Sequence, residues 1–284
     1  MKSSKRAALV TILLGPLLLA VAWAVPADTE FRFAILGDRT GGAVPGVFEA
    51  ALRRSVSERP AFLINVGDLI QGGNERALEQ EWTQVARLLA PYRRYRFFFV
   101  PGNHDVWSEA SARAFVRHTK DPLHYGFDYR QAHFTVLDNS RSEDLSAAEL
   151  TFLERDLKAH QGQQVKFVFF HRPSWLMQVL LRNEQFPVHQ LLKRYGVHYV
   201  ICGHIHQMLW FELDGINYIC IGSSGGHLRQ QNAYDKGWFF QHTLATVRGT
   251  NVEMRIEELG PPFGKGRVTA LQDWSGFRLA EKRF

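Results

Sequence analysis

The sequence contains little cysteine. Its two cysteines, Cys202 and Cys220, fall in apolar runs that predict buried strands, and their spacing does not resemble a zinc-ribbon pattern. The sequence therefore gives no support for a cysteine-based zinc site. A disulfide and a pair of free buried thiols are equally compatible with it, since a disulfide requires an oxidising compartment and suitable geometry.

The sequence also lacks a large excess of charge of either sign. Its 284 residues include 34 Lys and Arg and 28 Asp and Glu, which gives a net charge of +6. Three of the bases and none of the acids lie in residues 1–24, so 31 bases and 28 acids remain, a net charge of +3. That charge is too small to predict a nucleic-acid partner, although the sequence pI of 9.4 suggests one.

Residues 1–24 have the pattern of a signal peptide. Basic residues within the first six positions precede an apolar run from Ala7 to Val25, and Ala22-Trp23-Ala24 supplies small residues where a signal peptidase cuts. The alternative is an uncleaved membrane anchor, because the run approaches the roughly 20 residues that span a bilayer. We therefore expect the remainder to be periplasmic or secreted, or tethered to the membrane and facing outside the cytoplasm.

Internal repeats, low-complexity tracts and linkers are missing too, so residues 25–260 are predicted to form one domain. Strand patterns alternate with helical patterns in the first part of this domain, and strand patterns dominate the last part. This order predicts an α/β fold of two mixed sheets flanked by helices. Residues 261–284 show no clear period and are predicted to form a tail packed on the domain.

Polar residues repeatedly follow the end of an apolar strand. Phe33–Leu36 leads into Gly37-Asp38, for example, and Phe98–Val100 leads into Pro101–Asp105. The carboxyl ends of strands in an α/β sheet meet at one edge, where ligands bind. Each motif alone could be a helix cap, a turn or a core histidine, but five in succession predict one polar cleft. Its predicted members are Asp38, Asp68, Asn103, His104, Asp105, His171, His204 and His206.

These motifs resemble those of the calcineurin-like metallophosphoesterase superfamily, whose pattern is D-x-H, G-D, G-N-H-D/E, a lone His and G-H-x-H. The resemblance extends from residue 31 to about residue 225. It implies a four-layer α-β-β-α sandwich of two mixed sheets. The implied metal ligands are Asp38 and His206 for one ion, Asn103, His171 and His204 for a second, and Asp68 as the bridge between them.

The resemblance further implies a hydrolase that attacks a phosphate mono- or diester with a metal-activated water. Its two ions would be divalent or mixed-valence Mn, Fe, Zn or similar metals, because the donors are oxygen and nitrogen without thiolate. His104 resembles the unliganded histidine that protonates the leaving oxygen, and Asp105 is predicted to orient it. The alternative is a binding or scaffold module with a weakened first metal site.

Thr40 stands where the family's first motif normally ends in histidine, and this departure supports the alternative. Purple acid phosphatases also lack that histidine and place a tyrosine at the position of Gln71. Thr40 or Gln71 is therefore expected to hold a bound water. Arg39 is predicted to contact substrate phosphate or to be a solvated rim residue. His227, in a glycine-rich loop, is predicted to be a substrate-side residue or part of a plain loop.

Overall fold

The computed structural model describes residues 30–230 and 233–276. The predicted leader, residues 1–24, lies outside the described residues. Within the described ranges, no helix is both long enough and apolar enough to cross a membrane.

The described chain alternates strands and helices. The strands are β1 (Phe31–Leu36), β2 (Phe62–Asn65), β3 (Arg96–Phe99), β4 (Tyr125–Tyr129), β5 (Ala132–Val136), β6 (Val165–Phe169), β7 (Tyr199–Cys202), β8 (Leu209–Leu213), β9 (Ile216–Cys220), β10 (Gln241–Arg248), β11 (Asn251–Gly260) and β12 (Gly264–Ala270). The helices are α1 (Val47–Ser57), α2 (Leu78–Leu89), α3 (Glu109–Thr119), α4 (Ala147–Ala159), α5 (Leu176–Leu180) and α6 (Pro187–Arg194).

Two six-stranded sheets organise these elements. The first has the order β12-β11-β10-β1-β2-β3, in which β1, β2 and β3 are parallel and the remaining pairs are antiparallel. The second has the order β4-β5-β6-β7-β9-β8, with parallel pairing from β5 to β9 and antiparallel strands at both edges. Both sheets are mixed, as the sequence analysis predicts.

The inner faces of the two sheets meet in a core rich in phenylalanine. Phe33 on β1 lies with its ring centroid 5.2 Å from that of Phe134 on β5 and 5.3 Å from that of Phe167 on β6. Helices α1 to α3 cover the outer face of the first sheet, and α4 to α6 cover that of the second. Side chains such as Trp82 and Leu153 are buried beneath these helices. The predicted α-β-β-α sandwich is confirmed.

Part of the predicted C-terminal tail is a strand. β12 pairs antiparallel with β11 at the edge of the first sheet, and the Trp274 side chain that follows it is fully buried. β12 exposes Lys265 and Arg267, and charge on an edge strand discourages pairing with other molecules. Those exposed charges remove the apolar alternation by which a strand is recognised in sequence.

The two cysteines are free thiols and both are buried. They lie opposite each other on the neighbouring parallel strands β7 and β9. The Trp175 indole Nε1 donates to the Cys202 sulfur over 3.2 Å. Burial raises the pKa of both thiols, so they stay protonated and act as small apolar side chains.

A buried histidine outside the predicted cleft makes stability depend on pH. His133 Nδ1 lies 2.7 Å from Asp128 Oδ1, and its Nε2 lies 2.8 Å from Asp156 Oδ2. Burial alone would lower the pKa of His133, but its hydrogen bonds to the two carboxylates outweigh burial and raise it. A raised folded-state pKa gives stability that is complete below the unfolded value, about 6.5, and is lost as pH rises through the folded value.

We therefore expect the free energy of unfolding to fall between pH 6 and pH 9 by more in the wild type than in His133→Gln. Urea unfolding of both proteins at the two pH values measures the difference. The contributions of other titrating groups are the same in both proteins and cancel in this comparison. An equal fall in both proteins would show that His133 is not charged in the folded state.

Candidate metal centre

Five strand ends bring the predicted ligands together. Asp38 follows β1, Asp68 follows β2 and Asn103 follows β3, all in the first sheet. His171 follows β6 and the His204–His206 segment follows β7 in the second sheet. The cleft therefore lies where the carboxyl ends of the parallel strands of both sheets meet.

One group of donor atoms surrounds the Asp68 carboxylate and the His171 imidazole. The donor atoms of Asp68, His171 and His204 all lie within 4.8 Å of one another. His171 Nε2 is 3.2 Å from Asp68 Oδ2 and 3.1 Å from Asn103 Oδ1. These four residues are those that the family resemblance assigns to the second ion and its bridge.

A second group shares the same aspartate. Donor atoms of Asp38, Asp68 and His206 also lie within 4.8 Å of one another. His206 Nε2 is 4.0 Å from Asp38 Oδ2. Asp68 is common to both groups, which is the position that the resemblance gives to the bridging carboxylate.

Backbone carbonyls fix the orientation of two of the imidazoles. His171 Nδ1 is 2.8 Å from the Val66 carbonyl oxygen, and His206 Nδ1 is 2.7 Å from the His227 carbonyl oxygen. A carbonyl accepts only, so each Nδ1 must carry a proton. In the neutral tautomer, each Nε2 then offers its lone pair to the side occupied by the carboxylates. Metal-binding histidines are commonly held in this way, and the donor set fits a metal ion.

The electrostatics of the cleft favour a positive charge. Asp38 and Asp68 are fully buried. Burial lowers the pKa of His171, but the charge of Asp68, its hydrogen bond and the charge of Asp38 together raise it to about 9. Burial and the charge of His171 act in the same direction on His204 and lower its pKa to about 4. A bound cation would take over the neutralising role of the His171 proton, since metal binding displaces protons from its ligands.

Asp105 shapes the loop after β2. Its two carboxylate oxygens accept backbone N–H groups from Asp68 at 2.7 Å, Leu69 at 2.8 Å, Ile70 at 3.1 Å and Gly102 at 3.1 Å. The His104 ring has a different partner, the Gln71 carbonyl oxygen, so these contacts do not support the prediction that Asp105 orients His104.

The His104 imidazole is oriented by a backbone group. Its Nδ1 lies 2.5 Å from the carbonyl oxygen of Gln71, so Nδ1 donates and Nε2 is the nitrogen left for other contacts. The His104 backbone N–H donates to Asp68 Oδ1 at 2.9 Å. The residue thus positions the shared carboxylate as well as its own ring.

Several amides of the glycine-rich loop after β9 donate to groups within the protein. The N–H groups of Ser224 and Gly226 donate to the Asp38 carbonyl oxygen over 3.2 and 3.0 Å. The His227 N–H donates to the Gly41 carbonyl oxygen at 3.3 Å. These amides hold the segment that carries Asp38, so the predicted approach of this backbone to phosphate is not supported. The His227 side chain does line the cleft.

Thr40 makes structural contacts with two backbone carbonyl groups. Its hydroxyl is buried, 2.8 Å from the Asp68 carbonyl oxygen and 2.5 Å from that of Ile70. The Gln71 side chain accepts from the Gly42 N–H at 3.3 Å. Thr40 and Gln71 line a separate cavity of about 300 Å³. The expectation that either holds a water on the metal is therefore not supported.

Gly41 lies directly against the His206 ring, and the sequence analysis missed it. A Cβ atom on Gly41 would lie 2.8 Å from His206 Cε1, and the backbone φ of +75° favours glycine as well. The signal was the Gly41-Gly42 pair directly after the first motif.

Arg39 points away from the metal ligands. Its Nη1 donates to the Leu69 carbonyl oxygen at 2.6 Å. The side chain also lines a cavity of about 500 Å³ beside α1 and α2, with Glu49 and Arg87 among its neighbours. Arg39 is half-buried and does not line the cleft itself, so its contact with substrate phosphate stays a prediction.

The cleft itself is a pocket of about 200 Å³. It is lined by Gly41, Asp68, His104, His204, Ile205, His206, His227 and Arg229. Ile205, the variable position of the G-H-x-H motif, and Arg229, which belongs to no motif, are further residues that the sequence analysis missed.

Comparison with known proteins identifies the family. The model of the calcineurin-like phosphoesterase family matches residues 31–208, more than half of the chain, and the chain belongs to this family. A 3',5'-cyclic adenosine monophosphate phosphodiesterase of Escherichia coli K12 is 29% identical over 191 residues, 64% of this chain and 66% of the relative. A probable cyclic nucleotide phosphodiesterase of Moraxella catarrhalis is 28% identical over 182 residues, 57% of this chain and 64% of the relative. The matches span slightly less than two thirds of these relatives.

Solved structures share the fold at lower identity. A purple acid phosphatase from yellow lupin seeds has a TM-score of 0.66 and 14% identity, over 88% of this chain and 54% of that one. The Plasmodium protein GAP50 has a TM-score of 0.58 and 17% identity, over 85% of this chain and 88% of that one. At these identities the likeness shows the fold alone.

The shared position of Asp68 predicts an order of metal loss. Asp68→Asn should retain less metal than His206→Ala, because Asp68 contributes to both donor groups and His206 to one. Elemental analysis after dialysis against metal-free buffer measures this, with Asp144→Asn at an exposed position as a control. If His206→Ala loses as much metal as Asp68→Asn, the carboxylate is not shared.

The contacts of Thr40 predict that restoring the family's histidine does not restore metal binding. Thr40→His should bind Mn no more tightly than wild type, and loss of the hydroxyl should cost about 1–3 kcal/mol of unfolding free energy. Mn titration and urea unfolding test both statements. Thr40→Ser, which keeps the hydroxyl, should behave nearly as wild type. Tighter Mn binding by Thr40→His would contradict the structural role.

Proposed function

We propose that this protein is an exported metal-dependent phosphoesterase that hydrolyses a phosphate diester with the aid of two metal ions. The observation that carries the proposal is the Asp68 carboxylate, shared by two donor groups that include His171, His204 and His206. Both groups open onto one pocket that also contains His104, which belongs to neither.

The donor chemistry supports divalent ions such as Mn, Fe or Zn. One group supplies Asp68, Asn103, His171 and His204, and the other supplies Asp38, Asp68 and His206. Such mixed oxygen and nitrogen donors without thiolate suit these borderline metals. When bound, two ions would lower the pKa of a water and neutralise the phosphoryl oxygens.

His104 is the group placed to handle the leaving oxygen. Its Nδ1 is fixed on the Gln71 carbonyl oxygen at 2.5 Å, which leaves Nε2 for proton transfer. Nε2 lies 3.9 Å from the position that a Cβ atom would take on Gly41, beside the His206 ring. A protonated Nε2 there would donate to the departing alkoxide, the role of a general acid.

The relatives support a diester as substrate, since both are described as cyclic nucleotide phosphodiesterases. Export is supported by the basic and apolar pattern of residues 1–24. Cell fractionation and the mass of the mature N-terminus test it. Cleavage after Ala24 is expected, and a cytoplasmic chain that keeps Met1 would contradict export.

A second candidate is a binding or scaffold module with a weakened first metal site. The group around Asp38 has three donors, whereas the group around His171 has four. GAP50, which shares the fold, is described as an anchor in the inner membrane complex. The buried polar groups in the cleft favour the enzyme, because burying them without a ligand is costly.

The two candidates are separated by metal content and turnover measured on the same sample. Purified protein loaded with Mn should release nitrophenol from bis(4-nitrophenyl) phosphate, and His171→Ala should not. Asp144→Asn, at an exposed position, should retain full activity. A protein that binds metal but hydrolyses neither this diester nor 4-nitrophenyl phosphate would favour the binding module.

The proposed acid role predicts a leaving-group dependence. His104→Ala should keep its metals but lose about 10²–10⁴-fold in rate on an alkyl ester, the usual contribution of a general acid. The loss should be much smaller for a nitrophenyl ester, whose leaving group needs little protonation. Rates on methyl and nitrophenyl esters of the same phosphate measure this. Equal losses would rule out the acid role.

A further inference from the structure

The pocket contains one arginine, and no motif accounts for it. Arg229 lines the cleft together with Asp68, His204 and His206. Its side chain is exposed, whereas Leu228 before it is buried at 6% exposure. Arg229 therefore stands at the mouth of the pocket on a segment that is anchored in the protein.

Hydrogen bonds fix that segment against the metal ligands. The His227 carbonyl oxygen accepts from His206 Nδ1 at 2.7 Å, and the His227 N–H donates to the Gly41 carbonyl oxygen at 3.3 Å. Together with the burial of Leu228, these contacts set where the Arg229 side chain leaves the backbone. The arginine is positioned by the residues that build the site.

The guanidinium is available to a ligand. Within residues 30–230 and 233–276, no hydrogen bond or ion pair engages the Arg229 side chain. The other arginines near the cleft are engaged: Arg39 donates to the Leu69 carbonyl oxygen, and Arg172 pairs with Glu143. Arg229 is thus the one described arginine whose charge faces the pocket without a protein partner.

We infer that Arg229 binds the non-bridging oxygens of the substrate phosphate and makes recognition depend on the charge of that phosphate. The inference rests on the proposed phosphoesterase function. The planar fork of an arginine matches two phosphoryl oxygens, and its attraction grows with the charge they carry. Among the residues that line the pocket, Ile205 alone has an apolar side chain. The substrate class is therefore a phosphate ester held mainly by its phosphate.

Arg229→Gln tests this directly, with Arg113→Gln on the exposed face of α3 as the matched control. We expect the KM for a dianionic monoester and the inhibition constant of inorganic phosphate to rise roughly 10–100-fold, the range of a charge-assisted hydrogen bond. The rise for a monoanionic diester should be smaller. Added salt should weaken the binding of phosphate to the wild type more than its binding to Arg229→Gln. Arg113→Gln should match wild type throughout.

Metal content and phosphate binding distinguish the possible failures. Arg229→Gln must retain wild-type metal by elemental analysis, and metal loss would overturn the inference by making the effect indirect. Unchanged KM and phosphate affinity would also overturn it. An equal rise in KM for the monoester and the diester would overturn it as well. If the wild type hydrolyses neither ester, the proposed function fails, but equilibrium dialysis of inorganic phosphate with the Mn-loaded proteins still decides the role of Arg229.

Discussion

The fold keeps the carboxylates of Asp38 and Asp68 out of water, and the rest of the site depends on compensating their charge. An isolated buried carboxylate costs several kcal/mol, so positive charge or N–H donors must lie beside it. His171 supplies part of this compensation, and the charges of Asp68 and Asp38 outweigh burial and raise its pKa to about 9. Metal ions between the same donors would supply more, which links the stability of the site to its chemistry.

The same constraint explains the unusual backbone of the ligand loops. Asp68, His204 and His206 have φ values of 59°, 72° and 59°, in the left-handed region that side chains other than glycine rarely adopt. Such conformations persist only where surrounding contacts over-determine them. The Asp105 carboxylate holds the backbone of Asp68 in place by accepting hydrogen bonds from N–H groups of the loop. The Asp38 carboxylate holds His204 in the same way, because it accepts a hydrogen bond from the His204 N–H at 3.0 Å.

The two mixed sheets and the residues that meet in the cleft could be predicted from the sequence. An apolar run followed by a polar motif marks the end of a strand, whatever path the following loop takes. The roles of Asp105 and Thr40 depend on that path, since their side chains bond to backbone groups 37 and 28 residues away. Arg229 follows no strand directly and belongs to no pattern. Only the folded loop shows that it reaches the pocket.

The central proposal is that Asp68 would be shared by two metal ions, one beside Asp38 and His206 and one beside His171 and His204. Anomalous diffraction from crystals grown with Mn tests it most directly. The account predicts two anomalous peaks roughly 3.5–4 Å apart, both within bonding distance of the Asp68 carboxylate. A single peak, or two peaks of which only one contacts Asp68, would contradict it.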